Sequence, residues 1–183
     1  MIERLPGYRT PARWLHWIVA VAVLLMIPAG LIMTQEGISR PLQDTLFLFH
    51  KNTGVLLVPV ILARIAYRLT HRPPPLPRSV PGWQRGAARL SHVLLYVLLV
   101  VMPVSGFIRV RAGGFPIELL DRLGMGPWLA KSERVADIAQ GIHAVGAFTL
   151  IAVVAIHIGA AAQHALIRRD GVWGRMWPIR GDG

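Results

Sequence analysis

The sequence has no cysteine among its 183 residues, and it is poor in acidic side chains. Without thiols the chain forms no disulfide bridges, thiolate metal sites or iron–sulfur clusters, and it carries no haem attached through thioethers. Nine Asp and Glu stand against twenty Lys and Arg, which gives a net charge of +11. A chain this basic could bind nucleic acid, but the positions of the charges favour orientation in a membrane, with no nucleic-acid partner.

Apolar residues make up 54% of the chain, too many for an ordinary soluble domain of this size. A helix that crosses a bilayer needs about 20 consecutive, mostly apolar residues. Four stretches meet that length, and they predict spans at about residues 14–33, 46–69, 88–110 and 137–167. The predicted fold is all-α: a four-helix transmembrane bundle that forms one integral membrane domain over residues 1–183.

The charges are distributed unevenly between the two ends of the predicted spans. The termini and the proline-rich connection around 71–77, with the adjoining span ends, hold 13 of the 20 Lys and Arg and three acids. The other two connections, one of which predicts a short surface helix around 117–123, hold seven basic residues and six acids. The positive-inside rule therefore predicts that both termini and the proline-rich loop lie in the cytoplasm, with lipid around the spans.

Two histidines lie within the fourth predicted span, His143 and His157. Fourteen steps of 100° come to about 1400°, roughly 40° short of four turns, so both imidazoles point from one face of the helix. At about 1.5 Å per residue they lie roughly 21 Å apart along a bilayer core of about 30 Å. Polar groups at such depths are costly, and they indicate a functional site.

Two further histidines lie at matching depths. His16 begins the first predicted span and His50 begins the second, so the topology pairs His16 with His157 and His50 with His143. Two imidazoles that project from facing helices suit the two axial positions of one haem. Zinc would need four ligands, and no carboxylate or thiolate lies at these depths to complete such a site. The sequence therefore predicts two haem sites, one towards each side of the membrane.

Several basic residues lie beside these histidines and admit two interpretations. Arg13, Arg64 and Arg68 lie at the cytoplasmic edge, where guanidinium groups either pair with haem propionates or only set the orientation of the chain. Lys51, next to His50, is the propionate candidate on the opposite side.

Two other histidines, both on the cytoplasmic side, have open roles. His92 near the start of the third span either hydrogen-bonds a propionate or a quinone carbonyl or only packs between helices. His164, seven residues after His157, is a rival ligand, a propionate partner, a quinone contact or a residue at the level of the headgroups.

Glycines flank the predicted ligands. Gly54 follows His50 by one turn, and Gly141, Gly146 and Gly159 lie near the two histidines of the fourth span. Small residues allow a flat macrocycle or a neighbouring backbone to approach closely, and they are also common where membrane helices touch.

The ordered set of motifs resembles the bacterial cytochrome b561 family of four-helix dihaem membrane proteins. The resemblance runs from about Tyr8 to Pro178. Its matching segments are Arg13-Trp-Leu-His16-Trp17, His50-Lys-Asn-Thr-Gly54, Arg64-Ile-Ala-Tyr-Arg68, Pro73-Pro-Pro-Leu-Pro77, His92-Val-Leu-Leu-Tyr96, Pro103-Val-Ser-Gly106, His143, His157 and Arg175-Met-Trp-Pro178.

The resemblance implies two non-covalent b-type haems, ligated by His16, His50, His143 and His157, in a multi-pass protein of the bacterial inner membrane. It implies electron transfer linked to the quinone pool, with ubiquinone as substrate and a small anionic donor such as superoxide at the outer face. An alternative is a membrane-anchor subunit that passes electrons from a partner dehydrogenase or hydrogenase to quinone. Because intramembrane histidines also serve proton relays, a transporter or scaffold without haem forms a third class.

Overall fold

The computed structural model describes residues 7–77 and 80–177, so Pro178 and the extreme termini, for which a cytoplasmic location was predicted, lie outside the described residues. Within these two ranges the chain is helical and contains no strand. The α-helices are α1 Thr10–Ile32, α2 Arg40–Thr70, α3 Gly82–Ala112, α4 Glu118–Arg122 and α5 Glu133–Ala162. A π-helical turn, Gln163–Arg168, extends α5, and a 3₁₀ turn follows at Trp173–Arg175.

The prediction of four membrane-crossing helices is confirmed, because α1, α2, α3 and α5 are long and apolar enough to span a bilayer. Each helix begins four to six residues before the predicted span. The early turns are polar, as in the first turn of α2 with Arg40 and Gln43, so an apolar pattern cannot reveal them. Pro11 and Pro41 occupy first turns of α1 and α2, where a missing amide hydrogen costs no helical hydrogen bond.

The four long helices form two antiparallel hairpins, α1 with α2 and α3 with α5, which meet chiefly where α2 packs against α3. Each hairpin has its own buried cluster. Val19, Leu57 and Ile61 form the cluster of the first, and Leu98, Leu150 and Val153 that of the second. Large apolar side chains such as Leu24, Leu62, Val97 and Phe148 point away from the bundle, as expected for a surface that faces lipid tails.

The two ends of the bundle are closed differently. We call the end with α4 the outer end, where α4 packs over α2 and α3 through Val110, Ile117 and Leu120. We call the end with the proline-rich loop the inner end. There the amide of Tyr8 donates to the Arg175 carbonyl at 3.0 Å, and the Arg175 guanidinium donates to the Pro74 carbonyl. The segments nearest to both termini and the proline-rich loop thus lie together at one end.

Candidate functional site: two pairs of histidines

Near the outer end, the structure brings His50 of α2 and His143 of α5 together. Their ring centres are 6.2 Å apart and their planes are inclined by 76°. Imidazole nitrogens bind transition metals at about 2.0–2.1 Å, so two rings on opposite faces of one metal have centres about 6.3 Å apart. The spacing of this outer pair therefore fits one iron between two axial imidazoles.

Each ring of the outer pair lies against a glycine of the neighbouring helix. A Cβ atom on Gly30 of α1 would lie 2.9 Å from Cε1 of His50, and one on Gly106 of α3 would lie 3.1 Å from Cε1 of His143. Either methyl group would push the ring away from its present position. The two glycines therefore allow the imidazoles to lie close to the helix backbones.

The hydrogen bonds of His143 leave one particular nitrogen available. Its Nδ1 lies 3.1 Å from the Met102 carbonyl and 3.1 Å from the Ser105 hydroxyl. A carbonyl only accepts, so Nδ1 carries the proton and Nε2 keeps its lone pair for a metal. His50 lies against the Met26 backbone, but its buried Nδ1 has no hydrogen bond of standard geometry among the described residues.

A cavity of about 280 Å³ surrounds the outer pair. Its walls come from all four long helices and are mostly apolar, which suits a flat hydrophobic macrocycle. Besides the pair and the two glycines, its lining includes Val23, Met26, Gly54, Leu57, Leu99, Met102, Phe107, Arg109, Ala147 and Leu150. The residues at the outer level thus fit a haem in spacing, in tautomer and in the shape of the cavity.

Near the inner end, His16 of α1 and His157 of α5 form the second predicted pair, with ring centres 6.3 Å apart. This spacing also fits two axial imidazoles on one metal. The surroundings differ, because a guanidinium nitrogen of Arg64 lies 3.2 Å from Nδ1 of His16. A guanidinium only donates, so this contact places the His16 proton on Nε2. Ligation through Nε2 therefore requires Arg64 to release His16.

A third imidazole lies at the inner level. His92 of α3 has its ring centre 5.6 Å from that of His157. In the parts of the chain that the structure covers, no three or more His, Asp or Glu side chains are arranged to hold a bare metal ion. The inner cluster is thus a set of neighbouring rings rather than a tetrahedral metal site.

The three predicted arginines lie around this inner cluster. Arg64 also donates to the Ala12 carbonyl at 3.3 Å, and its Cζ lies 5.6 Å from the centre of the Tyr96 ring. Arg13 is buried and donates to the Tyr8 carbonyl at 2.7 Å. Arg68 is half-buried one turn beyond Arg64 and acts electrostatically on His92.

Lys51 at the outer level is bound to the α4 segment. Its ammonium lies 2.6 Å from Glu118 and donates to the Pro116 carbonyl at 2.8 Å. Burial acts to raise the pKa of Glu118, but hydrogen bonds from Lys51 and Asn52 outweigh it and hold the pKa below its ordinary value. Lys51 thus has a carboxylate partner within the chain.

His164 lies apart from both pairs, in the π-helical turn that extends α5. Its Nδ1 is 2.7 Å from a carboxylate oxygen of Asp170, and both side chains are mostly buried. The recorded polar contact of His164 is thus with Asp170 and not with a histidine of either pair.

The residues that support the outer rings are not the glycines that the sequence pattern indicates. Gly141 and Gly159, which were expected to lie close to the ligands, have open space where a Cβ would be, whereas Gly30 and Gly106 make the close contacts. An internal repeat could have found these two. One constant offset relates Arg13, His16, Met26 and Gly30 of α1 to Arg89, His92, Met102 and Gly106 of α3.

A helical bundle of four spans, with paired imidazoles at two depths, defines the class of the protein: a membrane cytochrome that binds haem without covalent attachment. The sequence pattern of the prokaryotic cytochrome b561 family matches residues 7–178. The chain belongs to that family, whose members bind haem b and transfer electrons in the membrane.

Curated relatives agree with this assignment over most of their length. Cytochrome b561 homolog 2 of Escherichia coli is 31% identical over 162 residues, which cover 88% of this chain and 86% of the relative. Cytochrome b561 homolog 1 of the same organism is 26% identical over 91% of this chain and 94% of its own length. A protein of Yersinia pestis named probable superoxide oxidase CybB is 24% identical over 90% of this chain and 92% of its own length.

Proposed function

We propose that the protein carries electrons across the membrane through two b-type haems, between a donor at the outer end and the quinone pool. The observation that supports this proposal is the presence of two imidazole pairs at two levels, with ring centres 6.2 and 6.3 Å apart. Two haems held at these levels would divide the electron's path across the bilayer into shorter transfer steps.

In this proposal His50 and His143 hold the outer haem and His16 and His157 hold the inner one. When bound, each haem supplies an iron that cycles between two oxidation states and so takes up and releases one electron. With two imidazoles to hold each iron, the arrangement would favour electron transfer over binding of dioxygen at iron. The apolar walls of the cavity around His50 and His143 would limit the access of water to the outer haem.

Arg64 has a double role in this proposal. On haem binding it would leave Nδ1 of His16 and would be placed to pair with a propionate, which would free the imidazole for ligation. Arg13 and Arg68 supply positive charge at the same level. His92 lies beside the inner pair as a further polar contact, whereas the pairing of Lys51 with Glu118 favours a role in fixing α4.

The donor that we propose is a small anion, with superoxide as the first candidate and ubiquinone as the acceptor. The name of the Yersinia pestis relative supports the choice of superoxide as the donor. Each superoxide would give up one electron and leave as dioxygen, and a quinone would take two electrons and two protons to form quinol. The positive-inside rule supports an orientation in which the inner end, with both termini, faces the cytoplasm of the bacterium.

The first test is a reduced-minus-oxidised absorption spectrum of the purified protein, combined with a haem count. We expect the signature of low-spin b-type haem and two haems for each chain. A count of one would contradict the two-level arrangement, and an absence of haem would contradict the whole proposal.

The second test addresses the donor. The purified protein in lipid nanodiscs is supplied with enzymatically generated superoxide, and reduction of its haem and then of added ubiquinone is followed optically. A His143→Ala variant serves as the control. Rapid reduction by superoxide that depends on His143 supports the proposed donor. Failure to react, together with stable co-purification of an outer-face redox protein, would identify an anchor subunit instead.

A further inference from the structure

Helices α1 and α3 share one sequence pattern, and the two helices differ at a buried position beside the outer rings. The offset that relates α1 to α3 carries Gly30 onto Gly106 and Met26 onto Met102. It carries Ala29 onto Ser105. Both side chains are almost completely buried, with 5% and 4% of their surface exposed.

The structure repeats the same arrangement around the two outer rings. His50 lies over Gly30 and His143 lies over Gly106, and in each case Cε1 is the ring atom nearest to where a Cβ would be. The backbone that faces the ring is that of Met26 in one hairpin and that of Met102 in the other. The two half-sites therefore share the glycine and the methionine backbone that face the ring, and they differ in the residue that precedes each glycine.

The hydroxyl of Ser105 changes the hydrogen bonding of only one of the two rings. Its Oγ donates to the Val101 carbonyl at 2.7 Å, and so a lone pair of Oγ faces Nδ1 of His143 at 3.1 Å. The methyl group of Ala29 offers no such acceptor to His50, whose Nδ1 is buried without a standard hydrogen bond. His143 thus has two acceptors for its Nδ1 proton, the serine and the Met102 carbonyl.

We infer that Ser105 is a positioning residue that makes the outer centre asymmetric and lowers its redox potential. An acceptor on Nδ1–H orients the ring and makes Nε2 a stronger electron donor to a metal, which favours the oxidised state of that metal. The inference rests on the proposed function, because it takes His143 as an axial ligand of the outer haem.

The test exploits the repeat. In Ser105→Ala the residue before the glycine of α3 becomes the same as in α1, and in Ala29→Ser an acceptor is added near His50. Optical redox titration of the purified protein should resolve two centres, and the outer one is the centre lost in His143→Ala. We expect Ser105→Ala to raise the potential of the outer centre, Ala29→Ser to lower it, and neither variant to move the inner centre.

A second serine of α3 provides the matched control. Ser91 lies beside His92, and its hydroxyl has no hydrogen-bond partner among the described residues. Ser91→Ala should leave the outer potential unchanged. An unchanged outer potential in Ser105→Ala, or an equal shift of both centres, would overturn the inference.

Two further outcomes remain distinct. If the unmodified protein contains fewer than two haems, the proposed function fails. That failure is seen in the haem count before any variant is titrated, so it is distinct from a failure of the inference about Ser105. If Ser105→Ala loses the outer haem, Ser105→Thr decides the matter because it keeps the hydroxyl. Haem retained in the threonine variant supports the positioning role, and haem lost in both variants contradicts it.

Discussion

The outer and inner levels of the bundle are built from the same four helices but hold different sets of side chains. In each long helix the residues of the two levels are fourteen positions apart. The outer level holds Gly30, His50, Gly106 and His143, and the inner level holds His16, Arg64, His92 and His157. The four positions of the outer level therefore carry two imidazoles and two glycines, whereas those of the inner level carry three imidazoles and a guanidinium.

The difference shows how a third imidazole and a guanidinium change the contacts of a histidine pair. At the outer level each ring has, among the described residues, one neighbouring imidazole, and the glycines leave room for the rings themselves. At the inner level His157 has two neighbouring imidazoles, and Arg64 competes for a nitrogen of His16. The proposed outer site would accept haem without a change of hydrogen-bond partner, whereas the proposed inner site would need Arg64 to release His16.

The largest effect that we predict is the loss of the outer haem when either of its rings is removed. His50→Ala leaves His143 with no second imidazole, because the nearest equivalent positions on α1 and α3 are glycines. The haem content should fall from two to one per chain, as measured by the pyridine haemochrome assay. His71→Ala is the control, since that ring stacks on Tyr67 away from both pairs and should change nothing. An unaltered haem count in His50→Ala would refute the pairing.

A smaller effect is expected for the equivalent change at the inner level. In His16→Ala, His92 can replace the lost ring, because its centre is 5.6 Å from that of His157. We expect partial retention of the inner haem in His16→Ala and complete loss in His157→Ala, measured by the same assay. The double variant His16→Ala/His92→Ala should match His157→Ala. If His16→Ala alone loses the inner haem completely, the two levels do not differ in this respect.

Much of what the two levels share can be predicted from the sequence. The apolar lengths, the unequal charges and the fourteen-residue spacing of His143 and His157 were enough to predict four spans and two ring pairs, and the structure brings the predicted partners together. These features follow from helix periodicity and from the thickness of the bilayer, so no knowledge of packing was needed.

The contacts between helices could not be predicted in this way. The sequence does not distinguish a glycine that faces open space, such as Gly159, from one that faces an imidazole, such as Gly30. The same holds for Lys51, whose partner Glu118 comes from a segment more than sixty positions away. Partners of this kind depend on the rotation of each helix about its axis, which packing decides.

A third prediction tests the space beside the outer rings. Gly30→Ala places a methyl group 2.9 Å from Cε1 of His50, and overpacking of this kind costs about 1–3 kcal/mol. We expect weaker haem retention at the outer site, measured as loss of haem to excess apomyoglobin. Gly141→Ala is the control, because nothing lies within 4 Å of the added atom and alanine favours a helix by about 1 kcal/mol. Equal haem loss in both variants would show that the close approach has no role.

The smallest effect concerns the outer end itself, which is closed partly by ion pairs. Arg111, buried beneath the connection, lies 2.6 Å from Asp121 of α4 and lowers the pKa of that carboxyl, and the Ile117 amide and the charge of Lys51 act in the same direction. A carboxyl whose pKa is lowered by folding stabilises the folded state at pH values above the pKa of the unfolded chain, about 3.9 for Asp. That contribution is lost as the pH falls through the lower pKa of the folded state.

We therefore expect acid to loosen α4 before the long helices. This should be seen below about pH 4 as weaker protection of the amides of 117–122 against hydrogen exchange, after correction for the intrinsic pH dependence of exchange. Asp121→Asn should show weaker protection at neutral pH and lose most of the pH dependence of protection, since its side chain cannot ionise. Glu36→Gln, at an exposed acid of the other outer connection, should leave the protection of 117–122 and its pH dependence unchanged. Protection in Asp121→Asn that still weakens in acid as in the unmodified protein would show that Glu118, not Asp121, holds the outer end closed.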